Sequence, residues 1–149
     1  MILRDLLPAG RPALPFIPPQ ASVAAALIWL ARSRTGFLVI QDDGGPLGLF
    51  APSDALAGLT VSTPEDLTRV RMADLGLGFP VRAGPGESVR TGLQRLLDHG
   101  RSLLPVLDGA ALLGVLELSV LVRQVLGELT AEIETLDRYI QNLHDADRD

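Results

Sequence analysis

The sequence contains one stretch twice, and this duplication limits what the chain can fold into. Residues 22–55 align without a gap with residues 88–121, a shift of 66 positions. A unit of this length present twice indicates a duplicated supersecondary element, whose copies bury their apolar faces against each other and leave a cleft. Nine of the 34 aligned positions are identical, at Ser22/Ser88, Val23/Val89, Leu27/Leu93, Leu30/Leu96, Leu38/Leu104, Asp42/Asp108, Leu47/Leu113, Gly48/Gly114 and Ser53/Ser119.

The first copy is predicted to fold as strand, helix, strand, strand and helix. Ser22 is a favourable N-cap for the first helix, and Asp42-Asp43-Gly44-Gly45 is typical of a hairpin turn between two β-rich runs. The predicted elements are a strand around Leu14–Ile17, a helix over Ser22–Ser33, strands at Phe37–Gln41 and Leu47–Phe50, and a helix from Pro52 to about Leu59.

The second copy follows a linker helix that Thr63 can cap and that Pro64, in its first turn, suits. Asp108-Gly109 predicts its hairpin turn. The predicted elements are a strand at Phe79–Arg82, a helix over Ser88–His99, strands at Leu103–Leu107 and Leu112–Leu116, and a closing helix that starts near Leu118.

The closing helix is predicted to continue beyond the repeat, because apolar residues recur at alternating spacings of four and three. This is a heptad pattern, and Ile at position a with Leu at position d favours a parallel two-stranded coiled coil. The flanking pair Glu132 and Asp137 is like-charged, however, and a helix packed back on its own domain would show the same pattern. The stripe comprises Val122, Leu126, Leu129, Ile133, Leu136, Ile140 and Leu143.

The helix over Ser22–Ser33 is apolar nearly all round, whereas an amphipathic surface helix has one such face. We therefore expect one face to pack on the domain and another, with Trp29, to meet a partner.

Composition excludes several classes of function. The net charge is −5, without a cluster of basic residues, which argues against a nucleic-acid partner. The chain has no cysteine, so thiolate catalysis is excluded, and its two histidines, His99 and His144, are far apart in sequence, which argues against a metal site. We see no catalytic constellation, signal peptide or membrane span, and expect a non-enzymatic, cytoplasmic protein.

The duplicated motifs resemble those of the cystathionine-beta-synthase-type (CBS) domain. The second copy carries Leu104-Pro105-Val106-Leu107-Asp108 followed by Leu113-Gly114-Val115-Leu116, and the first carries Leu38-Val39-Ile40-Gln41-Asp42 followed by Leu47-Gly48-Leu49-Phe50. The helix entries Pro19-Gln20-Ala21-Ser22-Val23 and Pro85-Gly86-Glu87-Ser88-Val89 fit as well. The resemblance covers about residues 1–125. It implies an α+β fold of two β-α-β-β-α repeats packed as one module, plus the long C-terminal helix.

In that family an adenine nucleotide can occupy the cleft, where a Gly-hydrophobic-x-Thr/Ser-x-x-Asp motif binds phosphate through its hydroxyl and ribose through its carboxylate. The first copy keeps the acid as Asp54 but has Ala51 at the hydroxyl position, so Ser53 is the substitute. The second copy has Glu117 and Val120 at these positions, so at most one site is expected. The resemblance implies Asp54, Ser53, Phe16 and Ile17 as ligand-binding residues. Arg34 and Arg101 flank the second strand of each copy, where they are either solvated or reach a ligand phosphate. Alternatively, Asp54 only stabilises the first turn of a helix.

The resulting hypothesis is a non-catalytic regulatory module that binds AMP, ATP or another adenosine-containing ligand and signals through a homodimer or a protein partner on its C-terminal helix. The alternative is a ligand-free scaffold whose sites have decayed. We divide the chain into a first repeat (1–62), a linker helix with the second repeat (63–125), and a C-terminal heptad helix and tail (126–149).

Overall fold

A computed structural model describes residues 1–9, 14–54 and 63–147. It confirms the α+β class with two small sheets and a long C-terminal helix. The helices are α1 (Val23–Arg32), α2 (Pro64–Arg69), α3 (Val89–His99) and α4 (Leu118–Ala146), the strands are β1 (Phe16–Ile17), β2 (Leu38–Asp42), β3 (Gly45–Phe50), β4 (Leu103–Asp108) and β5 (Ala111–Glu117), and short 3-10 turns lie at Leu3–Leu6 and Met72–Leu75.

The duplication seen in the sequence is reproduced in the strand register. Strand β2 pairs antiparallel with β3, and β4 pairs antiparallel with β5. Ile40 lies opposite Gly48, and Val106 lies opposite Gly114, so both hairpins have the same register at a shift of 66 residues. Each hairpin also has an irregularity directly after this pair. The gap-free sequence alignment therefore corresponds to a real structural repeat.

The same helix caps open both repeats. The Ser22 hydroxyl accepts a hydrogen bond from the Ala25 N–H at 3.1 Å, and the Ser88 hydroxyl accepts one from the Thr91 N–H at the same distance. These bonds satisfy N–H groups that a helix start leaves free. Of the predicted helix over Pro52–Leu59, residues 52–54 are helical, and the rest lies outside the described residues.

The strand predicted at Phe79–Arg82 is wrong, because only one parallel bridge forms, between Ala83 and Val106. In the first repeat the Val39 N–H donates to the Pro15 carbonyl at 2.8 Å, which supports β1. The residue equivalent to Val39 is Pro105, which has no N–H to donate. The second copy therefore lacks the hydrogen bond that would extend its first strand.

The two repeats exchange their N-terminal segments. Leu3, at the start of the chain, is fully buried in the second repeat's core, and Met72, which follows α2, is buried in the first repeat's core. Backbone bridges fix both segments, between Ile2 and Ser88 and between Arg71 and Ser22. Each repeat's core is thus completed by the segment that precedes the other repeat, and this interlocking holds the halves together.

Helix α1 packs on the first repeat through Val23 and Ala26, which are buried, while Ile28 and Trp29 on its other face are exposed. The predicted inner face is confirmed. The partner for the outer face stays a prediction.

Helix α4 packs on α3 over its first turns and then leaves the body. All residues from Leu129 to Asp147 are exposed, so this part of the helix does not fold back on its own domain. At 1.5 Å per residue, its 29 residues span about 43 Å. No helix in the described ranges has both the length and the apolar character needed to cross a membrane.

Candidate functional site

An open cavity of about 690 Å³ lies between the two repeats. Three segments of the described chain line it: the end of β3 with the helical residues 52–54, residues 76–81, which we call the linker wall, and the loop that leads into β4. Its lining residues are Leu49, Ala51, Ser53, Asp54, Gly76, Leu77, Gly78, Phe79, Pro80, Val81, Gly100, Arg101, Ser102, Leu103 and Pro105.

Gly48 allows the linker wall of this cavity to approach β3. A Cβ atom at position 48 would lie 2.8 Å from the Leu77 carbonyl oxygen and 2.9 Å from the Gly78 Cα. Both contacts are with backbone, which cannot move aside as a flexible side chain can. Gly48 therefore has a packing role and fixes where residues 77 and 78 lie.

Asp54 lies at the end of the first repeat's described part, and its side chain is 16% exposed. Its Oδ2 accepts a hydrogen bond from the Ala51 N–H at 2.9 Å, as expected of an acid in the first turn of a helix. The same arrangement recurs where Asp5 accepts from the Ile2 N–H and Asp74 from the Arg71 N–H. One oxygen of Asp54 thus has a local capping role, as the alternative interpretation of this residue requires.

The other oxygen of Asp54 faces the second repeat. Arg101 Nη1 lies 3.4 Å from Asp54 Oδ1 and can donate to it. Asp54 and Arg101 are the charged residues among those that line the cavity. Since the side chain of Arg101 is 48% exposed, solvent screens this pair and its contribution to stability is small. The site thus offers one acceptor and one cation beside an apolar wall.

The cavity brings together three of the six residues predicted to bind ligand. Asp54, Ser53 and Arg101 line it, whereas Phe16, Ile17 and Arg34 are not among its lining residues. Phe16 is partly exposed and Ile17 is buried in the first core. Arg34 is exposed on the loop after α1.

No motif in the sequence marks the linker wall as part of the site. The approach of this wall depends on Gly48 and on a hydrogen bond of 3.4 Å from the Leu49 N–H to the Gly78 carbonyl. The repeat itself gave one indication that this segment belongs beside the second sheet. Residues 80 and 81 occupy the same place before the second repeat as residues 14 and 15 do before the first.

A smaller polar pocket on the second repeat is lined in part by Glu87 and Arg95, which form an ion pair. Arg95 Nη1 donates to Glu87 Oε2 at 2.9 Å, and Nη2 donates to Oε1 at 2.6 Å. The hydrogen bond from Arg95 lowers the pKa of Glu87, the Gly84 N–H adds to this effect, and partial burial opposes it. The same bond raises the pKa of Arg95.

Glu87→Gln is expected to reduce stability at neutral pH and to make little difference in acid. Because the pKa of Glu87 is lowered in the folded state, its contribution is present above the pKa of the unfolded chain, about 4.3. It is lost as the pH falls through the folded value. The effect at pH 7 should be about 1 kcal/mol or less, since both side chains are partly exposed. Urea unfolding at pH 7 and pH 3, with Glu134→Gln as an exposed control, checks this, and an equal loss at both pH values would contradict it.

No family model and no curated protein matches the chain in sequence, but solved structures match its fold. A CBS-domain-containing protein from Agrobacterium tumefaciens superimposes with a TM-score of 0.70 at 19% identity, over 83% of this chain and 98% of that one. The chain has the fold of a tandem CBS-domain pair. CBSX2 in complex with AMP gives a TM-score of 0.67 at 22% identity over 85% and 97% of the two chains. The CBS domain of a bacterial CNNM/CorC-family Mg²⁺ transporter in complex with ATP gives 0.69 at 16% over 85% and 88%.

The CBS-pair fold accounts for the position of the cavity, because the cleft lies between two copies of one unit. Val120 is the residue of the second repeat that corresponds to Asp54, and its side chain cannot accept a hydrogen bond. Within the described ranges, no group of three or more His, Asp or Glu side chains is placed to hold a metal ion.

Proposed function

We propose that the protein is a non-catalytic regulatory module that binds an adenosine-containing nucleotide in the cavity beside Asp54. One observation carries the proposal: the fold brings Asp54 of the first repeat and Arg101 of the second to the same cavity, 3.4 Å apart. Two structures of the same fold are complexes with AMP and ATP.

The chemistry of the cavity fits the parts of a nucleotide. The Asp54 carboxylate can accept hydrogen bonds from the two ribose hydroxyls, and such charge-assisted bonds are stronger than neutral ones. Arg101 and the Ser53 hydroxyl can donate to a phosphate. Leu49, Leu77 and Phe79 offer apolar surface to a base. In this proposal the ligand replaces Asp54 as the partner of Arg101. Roles for Phe16, Ile17 and Arg34 stay sequence predictions.

We further propose that the module acts as a homodimer in the cytoplasm, or through a protein partner, with α4 as the contact. Beyond Val122, which is partly buried, six of the seven stripe residues lie on α4 with at least 38% of their surface exposed in the single chain. They are Leu126, Leu129, Ile133, Leu136, Ile140 and Leu143. Apolar surface of this extent is typical of an interaction site.

One observation favours a ligand-free scaffold instead. Both oxygens of Asp54 already have partners in the chain, the Ala51 N–H and Arg101. In that case the ion pair joins the repeats permanently, and dimerisation is the whole function.

A thermal-shift panel with adenosine, AMP, ATP and GMP separates the two functions. A ligand that binds only the folded state stabilises it by about 2.7 kcal/mol when present at about 100 times its Kd. We expect AMP or ATP to raise the melting temperature and GMP to raise it less. Deoxy-AMP, which lacks one ribose hydroxyl, should give a smaller shift than AMP. No shift with any adenosine compound would contradict nucleotide binding and leave the scaffold.

A further inference from the structure

If two copies of α4 pair through the stripe, the two helices can run parallel or antiparallel. In a parallel coiled coil, Glu132 at position g lies beside the partner's Asp137 at position e. These like charges repel each other twice in a symmetric dimer. In an antiparallel coil with matched apolar layers, Glu132 meets the partner's Tyr139 and this repulsion is absent.

A cation from outside the heptad helix lies beside Glu132. Arg90, on α3, donates through Nη2 to Glu132 Oε1 at 3.0 Å and through Nε to Glu128 Oε2 at 3.4 Å. The side chain of Arg90 remains 50% exposed. Its guanidinium thus lies on the flank of the stripe that a parallel partner's position e would approach.

We propose that Arg90 determines the orientation of a parallel α4 dimer by binding the partner's Asp137 while it is held by Glu132. The occupant of the α4 stripe is a second copy of this chain, so the inference rests on the self-association proposed above. A guanidinium has five N–H donors, so Arg90 can bind the partner's Asp137 while it still donates to Glu128 and Glu132. Two symmetric copies of this contact place a cation between Glu132 and the partner's Asp137, so attraction replaces their repulsion.

The geometry makes the contact testable, because Arg90 and Asp137 of one chain lie apart. Asp137 follows Glu132 by five residues, which places it about 140° around the helix and about 7.5 Å further along it. Any coupling between positions 90 and 137 in dimer affinity therefore reports on contact between chains.

The first test is a double-mutant cycle on dimer Kd, measured by sedimentation equilibrium with Arg90→Ala, Asp137→Ala and the double variant. With Arg90 present, Asp137→Ala should weaken the dimer about threefold to tenfold, the scale of two exposed ion pairs. With Arg90→Ala, the same substitution should strengthen it, because it then removes only the repulsion from Glu132. Arg138→Ala, on the outer face of α4, is the matched control and should leave Kd unchanged.

The second test is oxidative cross-linking through an introduced cysteine. Because the chain has no cysteine of its own, any disulfide must join the introduced residues. In a parallel dimer, Leu143→Cys faces its own copy and should form a disulfide. In the antiparallel register, position 143 meets position 126, so two copies of residue 143 are about 25 Å apart. Ala131→Cys, on the outer face, is the control that should remain reduced.

Each failure has its own meaning. A wild-type protein that stays monomeric overturns self-association and this inference with it. A dimer in which Leu143→Cys does not cross-link overturns the parallel orientation. A cross-linked dimer in which Asp137→Ala has the same effect with and without Arg90 leaves the parallel dimer in place and overturns the role of Arg90.

Discussion

Replacing both Ile133 and Ile140 with Asp is expected to make the protein monomeric at concentrations where the wild type is dimeric. These side chains are 65% and 51% exposed in the single chain and lie at the centre of the α4 stripe. Burial of an isoleucine contributes about 1.5–3 kcal/mol, and a dimer would lose four of them while placing four carboxylates in its seam. Sedimentation velocity over a range of concentrations measures the change.

The matched control for this double variant adds the same charge outside the seam, with Ala131→Asp and Asn142→Asp. It should dimerise like the wild type. Because residues 133 and 140 lie beyond the part of α4 that packs on α3, the body should melt as before once the wild type's dimer contribution is subtracted. Wild-type mass and melting in the double variant would show that the stripe is not a self-association surface, leaving another protein as its occupant.

Gly48→Ala is expected to destabilise the fold and to distort the candidate site. The new Cβ would lie within 3 Å of the backbone at Leu77 and Gly78, so the linker wall must move away from β3. Such overpacking costs about 1–3 kcal/mol. The displaced wall lines the cavity, so nucleotide affinity should fall as well.

Chemical denaturation of Gly48→Ala measures this loss against Gly36→Ala, since a Cβ at position 36 meets nothing within 4 Å. If the two variants are equally stable and bind nucleotide equally, the close contact between β3 and the linker does not form the cavity wall.

Much of the fold could be predicted because its signals are local and occur twice. Ser22 and Ser88 cap helices in both copies, and the hairpin turns lie where Asp and Gly residues indicate them. The prediction of a strand at Phe79–Arg82 is wrong because Pro105, in the neighbouring strand β4, has no N–H to donate to it. Pro105 is distant from this segment in sequence. The local pattern of residues 79–82 does not indicate which distant strand they would have to pair with.

The exchange of N-terminal segments could not be seen in the gap-free alignment. The bridges equate Ile2 with Arg71, a shift of 69 residues, whereas the helices and strands shift by 66. The change of offset hides the short match between Asp5-Leu6 and Asp74-Leu75.

The candidate site was predictable where a motif marked it and unpredictable where only the path of the chain forms it. The family motif at the end of β3 marks Asp54, and Arg101 is a candidate because it directly precedes the second strand of its copy. The linker wall comes close because Gly48 leaves room for it. That proximity is a property of the folded chain and has no motif of its own.

Titration calorimetry of AMP into wild type, Asp54→Ala and Asp5→Ala tests the central claim most directly. Asp5 caps a turn as Asp54 does but lies outside the cavity lining, so its variant controls for the loss of a capping acid. We expect Asp5→Ala to bind like the wild type and Asp54→Ala to lose about 1.5–3 kcal/mol of binding free energy. Equal affinity in Asp54→Ala and wild type, or no binding by the wild type, would contradict a nucleotide site at Asp54.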